Sequence, residues 1–319
     1  MEPAAFCGMT RLLIVAGKGG VGKTTVTAAV AAMAAGAGLA TCIIEIEGKS
    51  GLGAMFGRPG PLPHESVVLR PGGGQSGGAD VVARTLDPEA ALVEYLEDHG
   101  LRRLSKRLAS TGAIDVAATA APGIKDILVL GKVKQMERAG EFDLLLLDAP
   151  AAGHTLTFLT SARGLLDAVQ VGPIRAQAED VLELLGDPAR CQVLLVTLPE
   201  ETPVNEVVET AFALEDRVGI SLAPVVVNGL YDRLDLVDDA AAAAADAGVT
   251  LDPTRLKALD AAADFRMKRQ AMQAEQVERL RAGLPLPQIC LPYVFSGELG
   301  PTEIDHLAAA FASSLSALA

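Results

Sequence analysis

One glycine-rich segment restricts the possible folds of this 319-residue chain more than any other part of the sequence. Residues 17–25 read Gly-Lys-Gly-Gly-Val-Gly-Lys-Thr-Thr, which contains the pattern G-x-x-x-x-G-K-T. An apolar run, Leu12–Val15, precedes the segment and predicts a short buried strand, and residues 26–35 predict a helix. Because a strand, a glycine loop and a helix N-terminus in this order form a phosphate-binding loop, the segment predicts a nucleotide site.

The residue types in this segment suit the holding of a triphosphate and a metal ion. Glycines let successive backbone N–H groups converge on a phosphate, and the helix N-terminus adds partial positive charge. We expect Lys23 to reach the β- and γ-phosphates and the Thr24 hydroxyl to bind Mg²⁺. A glycine turn that binds nothing is the alternative, which the complete match disfavours. The loop residues predicted to bind the nucleotide are Gly17, Lys18, Gly19, Gly20, Val21, Gly22, Lys23, Thr24 and Thr25.

Carboxylates stand at the ends of two further predicted strands. Four consecutive leucines within residues 142–148 predict a central parallel strand, and Asp148 at its end would hold Mg²⁺ directly or through water. Residues 41–46 predict another strand, and Glu45 and Glu47 flank its end. A carboxylate at this position could orient water toward the γ-phosphate. The alternative is a solvated pair of strand-end carboxylates.

Three further residues, His154, Asn228 and Pro292, complete the candidate site. Residues 149–155 read Ala-Pro-Ala-Ala-Gly-His-Thr, which predicts a turn suited to a nucleotide-dependent switch. His154, at the end of that turn, is either structural or a donor to the nucleotide, and we favour the second role. Asn228 ends a predicted strand at 224–228, and its carboxamide could pair with adenine through two hydrogen bonds. Pro292 starts the loop after the last predicted strand, and we include it among the nucleotide-binding residues.

The predicted elements alternate between strands and helices along the chain. This order predicts an α/β fold of the P-loop NTPase type, with a mostly parallel central sheet flanked by helices. We expect a single domain over residues 1–319, with a helical insertion at 87–140 between the second strand region and the strand that ends at Asp148. The insertion could face a protein client, or its apolar face could belong only to the core. Its helices are predicted at 87–98, 101–109, 112–120 and 123–139. Other predicted elements are a loop at 48–60, strands at 66–70, 80–86, 191–197 and 287–291, and helices at 163–170, 173–186, 203–218, 253–282 and 301–318.

Composition and charge narrow the possible partners. The net charge of −13 argues against general affinity for nucleic acid or anionic lipid, and the helix predicted at 301–318 lacks the basic residues of a membrane anchor. The uncharged stretch 24–44 is better explained as two buried elements than as a membrane span, because glycines interrupt it. The four cysteines are widely separated, which favours reduced thiols over a metal site. No secretory signal is apparent, so we expect a cytoplasmic protein without stable membrane anchoring.

The lysine at position 18 narrows the choice of family. The loop resembles the deviant Walker A loop of the ATPases that include the cell-division positioning proteins, the nitrogenase iron protein and the ArsA/GET group. Residues 148–156 resemble the ArsA/GET switch II, and Asn228 occupies the family's adenine position. The chain is therefore similar to the ArsA/GET-type, anion-transporting ATPases, most of all to the shorter members found as paired genes in actinobacteria.

The resemblance implies a dimeric, Mg²⁺-dependent ATPase whose nucleotide state controls a protein client or partner. In that class Lys18 would reach across the dimer to the partner subunit's nucleotide, Glu47 would position water, and Asp148 would hold the metal. These three residues are the candidate catalytic set, and Thr24 and Asp148 are the candidate metal ligands. The dimer could be a homodimer or a heterodimer with a paralogous ATPase. A solvated loop lysine is the alternative for Lys18.

The sequence also departs from the family pattern. The family's switch I reads Asp-Pro-Ala-His, whereas this chain has Glu-Gly-Lys-Ser at 47–50. Grouped cysteines, a C-x-x-C zinc clasp and a Met-rich helix pair are not visible, and these are the features that would indicate arsenite transport or eukaryote-like targeting. The alternatives are a catalytically weak scaffold subunit that binds nucleotide in a hetero-oligomer, a partition-type positioning ATPase and a metabolic ligase. The departure at Glu47 favours the scaffold, and the acidic charge disfavours the positioning ATPase.

Overall fold

A computed structural model describes residues 1–46, 51–73, 78–98, 123–150, 152–233 and 240–318. The strands of this part of the chain are β1 (Leu12–Ala16), β2 (Thr41–Ile46), β3 (Val67–Arg70), β4 (Val81–Leu86), β5 (Leu144–Asp148), β6 (Cys191–Thr197), β7 (Ser221–Leu222), β8 (Val225–Leu230) and β9 (Gln288–Pro292). They form a nine-stranded sheet in the order β3-β4-β2-β5-β1-β6-β8-β9, with β7 beside β6. Every pairing is parallel except that of β3 with β4.

The strands β1, β2 and β5 are buried on both faces. Every residue of β1, β2 and β5 is buried, which explains why apolar residues predominate in all three and do not alternate with exposed polar ones. The polar residues of these strands are Thr41, Glu45 and Asp148. Asp148 is in register with Val15 of β1 and with Glu45 of β2. The carboxyl ends of the three strands therefore meet at one edge of the sheet, where open α/β sheets place their ligands.

Helices cover both faces of the sheet. The described helices are α1 (Pro3–Cys7), α2 (Lys23–Gly36), α3 (Gly51–Met55), α4 (Pro88–Asp98), α5 (Ile124–Ala139), α6 (Ala152–Ala168), α7 (Pro173–Gly186), α8 (Glu201–Val218), α9 (Ala240–Asp246), α10 (Pro253–Gly283) and α11 (Pro301–Ser316). One apolar core lies between the sheet and α1, α2, α3 and α11. A second lies between the opposite face and α5 to α8, together with the end of α10. The expected P-loop fold with a mostly parallel sheet between helical layers is confirmed.

The structure corrects several element boundaries. Residues 152–155 lie in the first turn of α6, so the turn predicted at 149–155 is wrong over these four residues, as is a helix start at 163. The buried Phe158, Leu159 and Ala162 continue the apolar face of this helix toward its N-terminus. The buried Thr155 hydroxyl donates to the Pro150 carbonyl oxygen at 2.5 Å, which binds the first turn to the residue that precedes it. The short helices α1 and α3 and the strand β7 were also not predicted, and α3 lies inside the loop expected at 48–60.

The helical insertion is described in part. Helices α4 and α5 lie where helices were predicted at 87–98 and 123–139, and the predicted helices at 101–109 and 112–120 fall outside the described residues. The two described helices are joined through side chains, because Lys132 Nζ of α5 lies 2.5 Å from Glu94 Oε2 of α4. None of the helices that the structure describes combines the length and apolar character required to cross a bilayer.

Candidate nucleotide site

The glycine loop connects β1 to α2 and packs closely against neighbouring strands. Gly22 has φ 90°, a left-handed conformation that favours glycine, and it directly precedes the first residue of α2. A Cβ atom on Gly22 would lie 2.3 Å from Asn228 Nδ2, and one on Gly17 would lie 2.3 Å from the Val196 carbonyl oxygen. Side chains at these two positions would displace the loop from β6 and β8. The loop therefore requires glycine for close backbone approach as well as for its turn.

The amine of Lys23 lies inside the loop. Lys23 is 8% exposed, and its Nζ donates to the carbonyl oxygens of Gly17 at 3.0 Å and Lys18 at 3.1 Å. No acidic residue occurs in the first turn of α2, and no side chain in the described ranges caps its N-terminus. A buried ammonium beside the uncapped N–H groups of a helix suits a bound anion, because both offer donors and positive charge. The position fits a phosphate group.

The predicted metal ligands lie in contact with each other. The Thr24 hydroxyl, at the start of α2, donates to Asp148 Oδ2 at 2.7 Å. Asp148 is fully buried at the end of β5, and the backbone N–H of Ala149 donates to the Val15 carbonyl oxygen at 3.1 Å. Carboxylate and hydroxyl oxygens are hard ligands of the kind that Mg²⁺ prefers, so these two side chains fit a magnesium site beside the phosphate loop.

A second carboxylate lies beside Asp148. Glu45 is fully buried on β2, directly opposite Asp148 in the register of the sheet. The Thr85 hydroxyl lies 3.4 Å from Glu45 Oε2 and 3.1 Å from the Leu62 carbonyl oxygen. The solvated alternative for this strand end is therefore wrong for Glu45. Glu47, the predicted water-positioning residue, lies outside the described residues.

Asn228 has a structural contact that the sequence did not reveal. Its Nδ2 donates to the Val21 carbonyl oxygen at 2.9 Å, so the side chain links β8 to the phosphate loop. Pro292 ends β9 and is paired with Leu230, just beyond Asn228 on the neighbouring strand. His154 lies in the first turn of α6, close in sequence to Asp148. The contacts of these residues with adenine or phosphate remain predictions.

Lys18 makes a contact within its own chain. Its Nζ donates to Oε1 of Glu206 on α8, and the side chains are 42% and 35% exposed. No local pattern in the sequence indicates this ion pair, because 188 residues separate its members. The structure describes one chain, so the contact of Lys18 with a partner subunit's nucleotide stays a prediction.

An aromatic cluster lies beyond the ends of β8 and β9 and was also not predicted. The ring centroid of Tyr231 lies 5.2 Å from that of Tyr293 and 5.5 Å from that of Phe295. The Arg266 guanidinium lies 4.6 Å from the Tyr231 centroid, within the range of a cation–π contact. The side chain of Gln273 accepts from the Tyr231 N–H at 2.9 Å and thereby ties α10 to the segment after β8. One signal was present in the sequence, since two of the three tyrosines follow the last two strands.

A glycine loop between β1 and α2, a buried loop lysine and a threonine–aspartate pair at the end of β5 together define a P-loop nucleoside triphosphatase. The sequence model of the anion-transporting ATPase family matches residues 10–171. The ATPase BagA of Mycobacterium tuberculosis strain H37Rv is 33% identical over 317 residues, which cover 92% of this chain and 90% of BagA. The chain belongs to the anion-transporting ATPase family. The arsenical pump-driving ATPase of Escherichia coli is 24% identical over 257 residues, which cover 73% of this chain and 41% of that protein.

Proposed function

We propose that this protein is a Mg²⁺-dependent ATPase that dimerises and whose nucleotide state controls a protein client or partner. The observation that carries the proposal is the contact of Thr24 with Asp148 beside the buried Lys23 amine. These groups would hold the metal and the β- and γ-phosphates. The family membership and the resemblance to the ATPase BagA support ATP as the nucleotide.

The chain's own residues would bind and orient the triphosphate. Lys23 already donates to two loop carbonyl oxygens, and phosphate oxygens would take the place of these acceptors. Magnesium, when bound, would neutralise charge on the phosphates as the terminal phosphoryl group leaves. Glu45 or Glu47 would orient the attacking water. The burial of Glu45 beside Asp148 supports its proximity to the reacting group, and Glu47 remains a prediction from the sequence.

The proposals of dimerisation and client control are based on the family resemblance, on the exposure of Lys18 and on the position of α4 and α5. Lys18 lies on the loop and is 42% exposed, so a second subunit could be reached without unfolding the loop. The described helices α4 and α5 of the insertion follow β4 and precede β5, which ends at Asp148. In this proposal, a movement at the metal site is passed through β5 to α5, and from α5 to a bound protein.

Three measurements test the proposal. We expect Asp148→Asn to retain ATP binding in EDTA but to lose the increase in affinity that Mg²⁺ gives the wild type, because one metal ligand loses its charge. We expect Lys18→Ala to bind ATP while its turnover falls, and the wild type to change from monomer to dimer on adding a non-hydrolysable ATP analogue in analytical ultracentrifugation. Equal turnover of Lys18→Ala and wild type would remove the role across the dimer, and a monomer at saturating analogue would refute the dimer.

A further inference from the structure

The ion pair between Lys18 and Glu206 gives the loop lysine an acidic partner before any nucleotide is bound. Glu206 Oε1 accepts from the Lys18 amine, and the other carboxylate oxygen is buried and accepts no hydrogen bond from the described residues. Within the described part of the chain, Lys18 is thus the cation that balances this carboxylate. A phosphate group would be a second anion for the same amine.

Glu206 belongs to a helix whose position is fixed. Val204 and Val207, on either side of it, are buried in the core, 1% and 4% exposed. The residue before α8 is held by α10, since Arg269 Nη2 lies 2.5 Å from Glu200 Oε1. Because α8 is packed and tied in this way, the backbone of Glu206 keeps its position beside the loop. The lysine, on a flexible side chain, is the partner that can leave.

The backbone of Lys18 is also connected to the phosphate site. Its carbonyl oxygen accepts from Lys23 Nζ at 3.1 Å, a bond that a bound phosphate would replace. Nucleotide binding would therefore change the loop at the residue whose side chain is held by Glu206. Loss of the Lys23 hydrogen bond and loss of the Glu206 ion pair would both occur at Lys18. The carboxylate and the phosphate would therefore compete for the amine as the nucleotide enters.

We propose that Glu206 is a positioning residue that holds Lys18 within its own subunit and competes with nucleotide phosphate for the lysine amine. The proposal rests on the proposed function, since it assumes that Lys18 engages a phosphate of its own or of a partner subunit's nucleotide. Before nucleotide binds, the Lys18 amine is paired with Glu206. When nucleotide binds, the amine leaves Glu206 and contacts a phosphate, and the loop takes its nucleotide-bound conformation.

Acylation of the Lys18 amine measures the competition directly. The full-length protein is treated with sulfo-NHS acetate, and the modification of Lys18 is followed by peptide mass spectrometry with Lys268, which is 80% exposed, as the internal reference. Without nucleotide we expect Glu206→Gln to increase the Lys18 acylation rate about two- to fivefold, the change expected for loss of one partly exposed ion pair. Glu209→Gln, an exposed glutamate on the same helix, is the matched control and should leave the rate unchanged.

The same assay with added nucleotide tests the competition. In the wild type we expect Mg²⁺ and a non-hydrolysable ATP analogue to protect Lys18. In Glu206→Gln the half-protecting concentration of the analogue should fall about two- to fivefold, because the carboxylate no longer competes. Glu206→Asp retains the charge on a side chain one methylene shorter and should lie between the wild type and Glu206→Gln. If Glu206→Gln does not fold, the acylation rate and the half-protecting concentration of Glu206→Asp are compared with those of the wild type instead.

Each outcome supports or overturns the inference. Equal acylation rates in wild type, Glu206→Gln and Glu209→Gln would overturn the ion pair. A faster rate in Glu206→Gln with an unchanged half-protecting concentration, or no protection in any protein, would overturn the competition. Because the assay uses a non-hydrolysable analogue, a protein that shows this competition but does not hydrolyse ATP would refute the ATPase proposal alone.

Discussion

Replacement of Asn228 by alanine separates two roles of this residue. The wild-type side chain donates to the Val21 carbonyl oxygen at 2.9 Å and lies against Gly22, so its removal frees the phosphate loop from β8. A neutral hydrogen bond contributes about 0.5–1.5 kcal/mol net. Since about 1.4 kcal/mol corresponds to a tenfold change in affinity, we expect about two- to tenfold weaker phosphate binding.

The assay compares two ligands. Isothermal titration calorimetry with Mg²⁺ and either ATP or inorganic tripolyphosphate distinguishes a link to the loop from contact with adenine. If Asn228 orders the loop, the alanine variant loses affinity for both ligands by a similar factor. If the residue binds only the base, the affinity for tripolyphosphate is unchanged, and that result would refute the role argued from the hydrogen bond.

A matched control is available elsewhere in the sheet. The side chain of Gln192 also donates to a backbone carbonyl oxygen, that of Pro188 at 3.1 Å, but it lies near the start of β6 rather than at the carboxyl end of the strands. Gln192→Ala therefore loses a hydrogen bond of the same type away from the site. We expect a similar small loss of stability and no change in affinity for either ligand.

Two further predictions concern titratable groups. Burial raises the pKa of all four thiols, to about 12 for Cys7 and Cys42, but only Cys290 is exposed to a reagent. Iodoacetamide at pH 8 should therefore modify Cys290 before the other three, and rapid loss of more than one thiol before unfolding would contradict the burial of Cys7, Cys42 and Cys191. Burial tends to raise the pKa of Glu94, but hydrogen bonds and charges from Lys132 and His64 outweigh it and lower the pKa below its ordinary 4.5. Because the pKa is lowered in the folded state, the ionised Glu94 stabilises the fold above its ordinary pKa, and this stabilisation is lost as the pH falls. In urea unfolding, Glu94→Gln should therefore lower the free energy of unfolding by about 0.5–1 kcal/mol at pH 7 and by less near pH 3. An equal cost at both pH values would contradict the ion pair.

The strands around the phosphate loop were predictable because of their burial. The sequence predicts the bounds of β2 and β6 to the residue, and the apolar run before the loop marks β1. A strand covered on both faces is composed mainly of apolar residues, and such a run is visible without knowledge of its partners. The phosphate loop was predictable for a related reason, since its function depends on residue types at fixed spacing in one segment.

The N-terminal turn of α6 and the side-chain pairs could not be read in this way. Pro150 and Gly153 favour a turn locally, and the packing of Phe158 and its neighbours on the sheet favours a longer helix, so tertiary contacts decided the start of α6. The ion pair of Lys18 with Glu206 joins residues far apart in the chain, and no local pattern specifies it. Glu45 is likewise buried because β4 and β5 lie on either side of β2.

Steady-state phosphate release measures whether this loop supports magnesium-dependent ATP hydrolysis. The wild type is compared with Lys23→Ala, each with Mg²⁺ and with EDTA. We expect release by the wild type with Mg²⁺ and a decrease of about a hundredfold or more in EDTA or on loss of the lysine, because both remove positive charge from the developing transition state. Phosphate release by Lys23→Ala at the wild-type rate would show that hydrolysis does not depend on this loop.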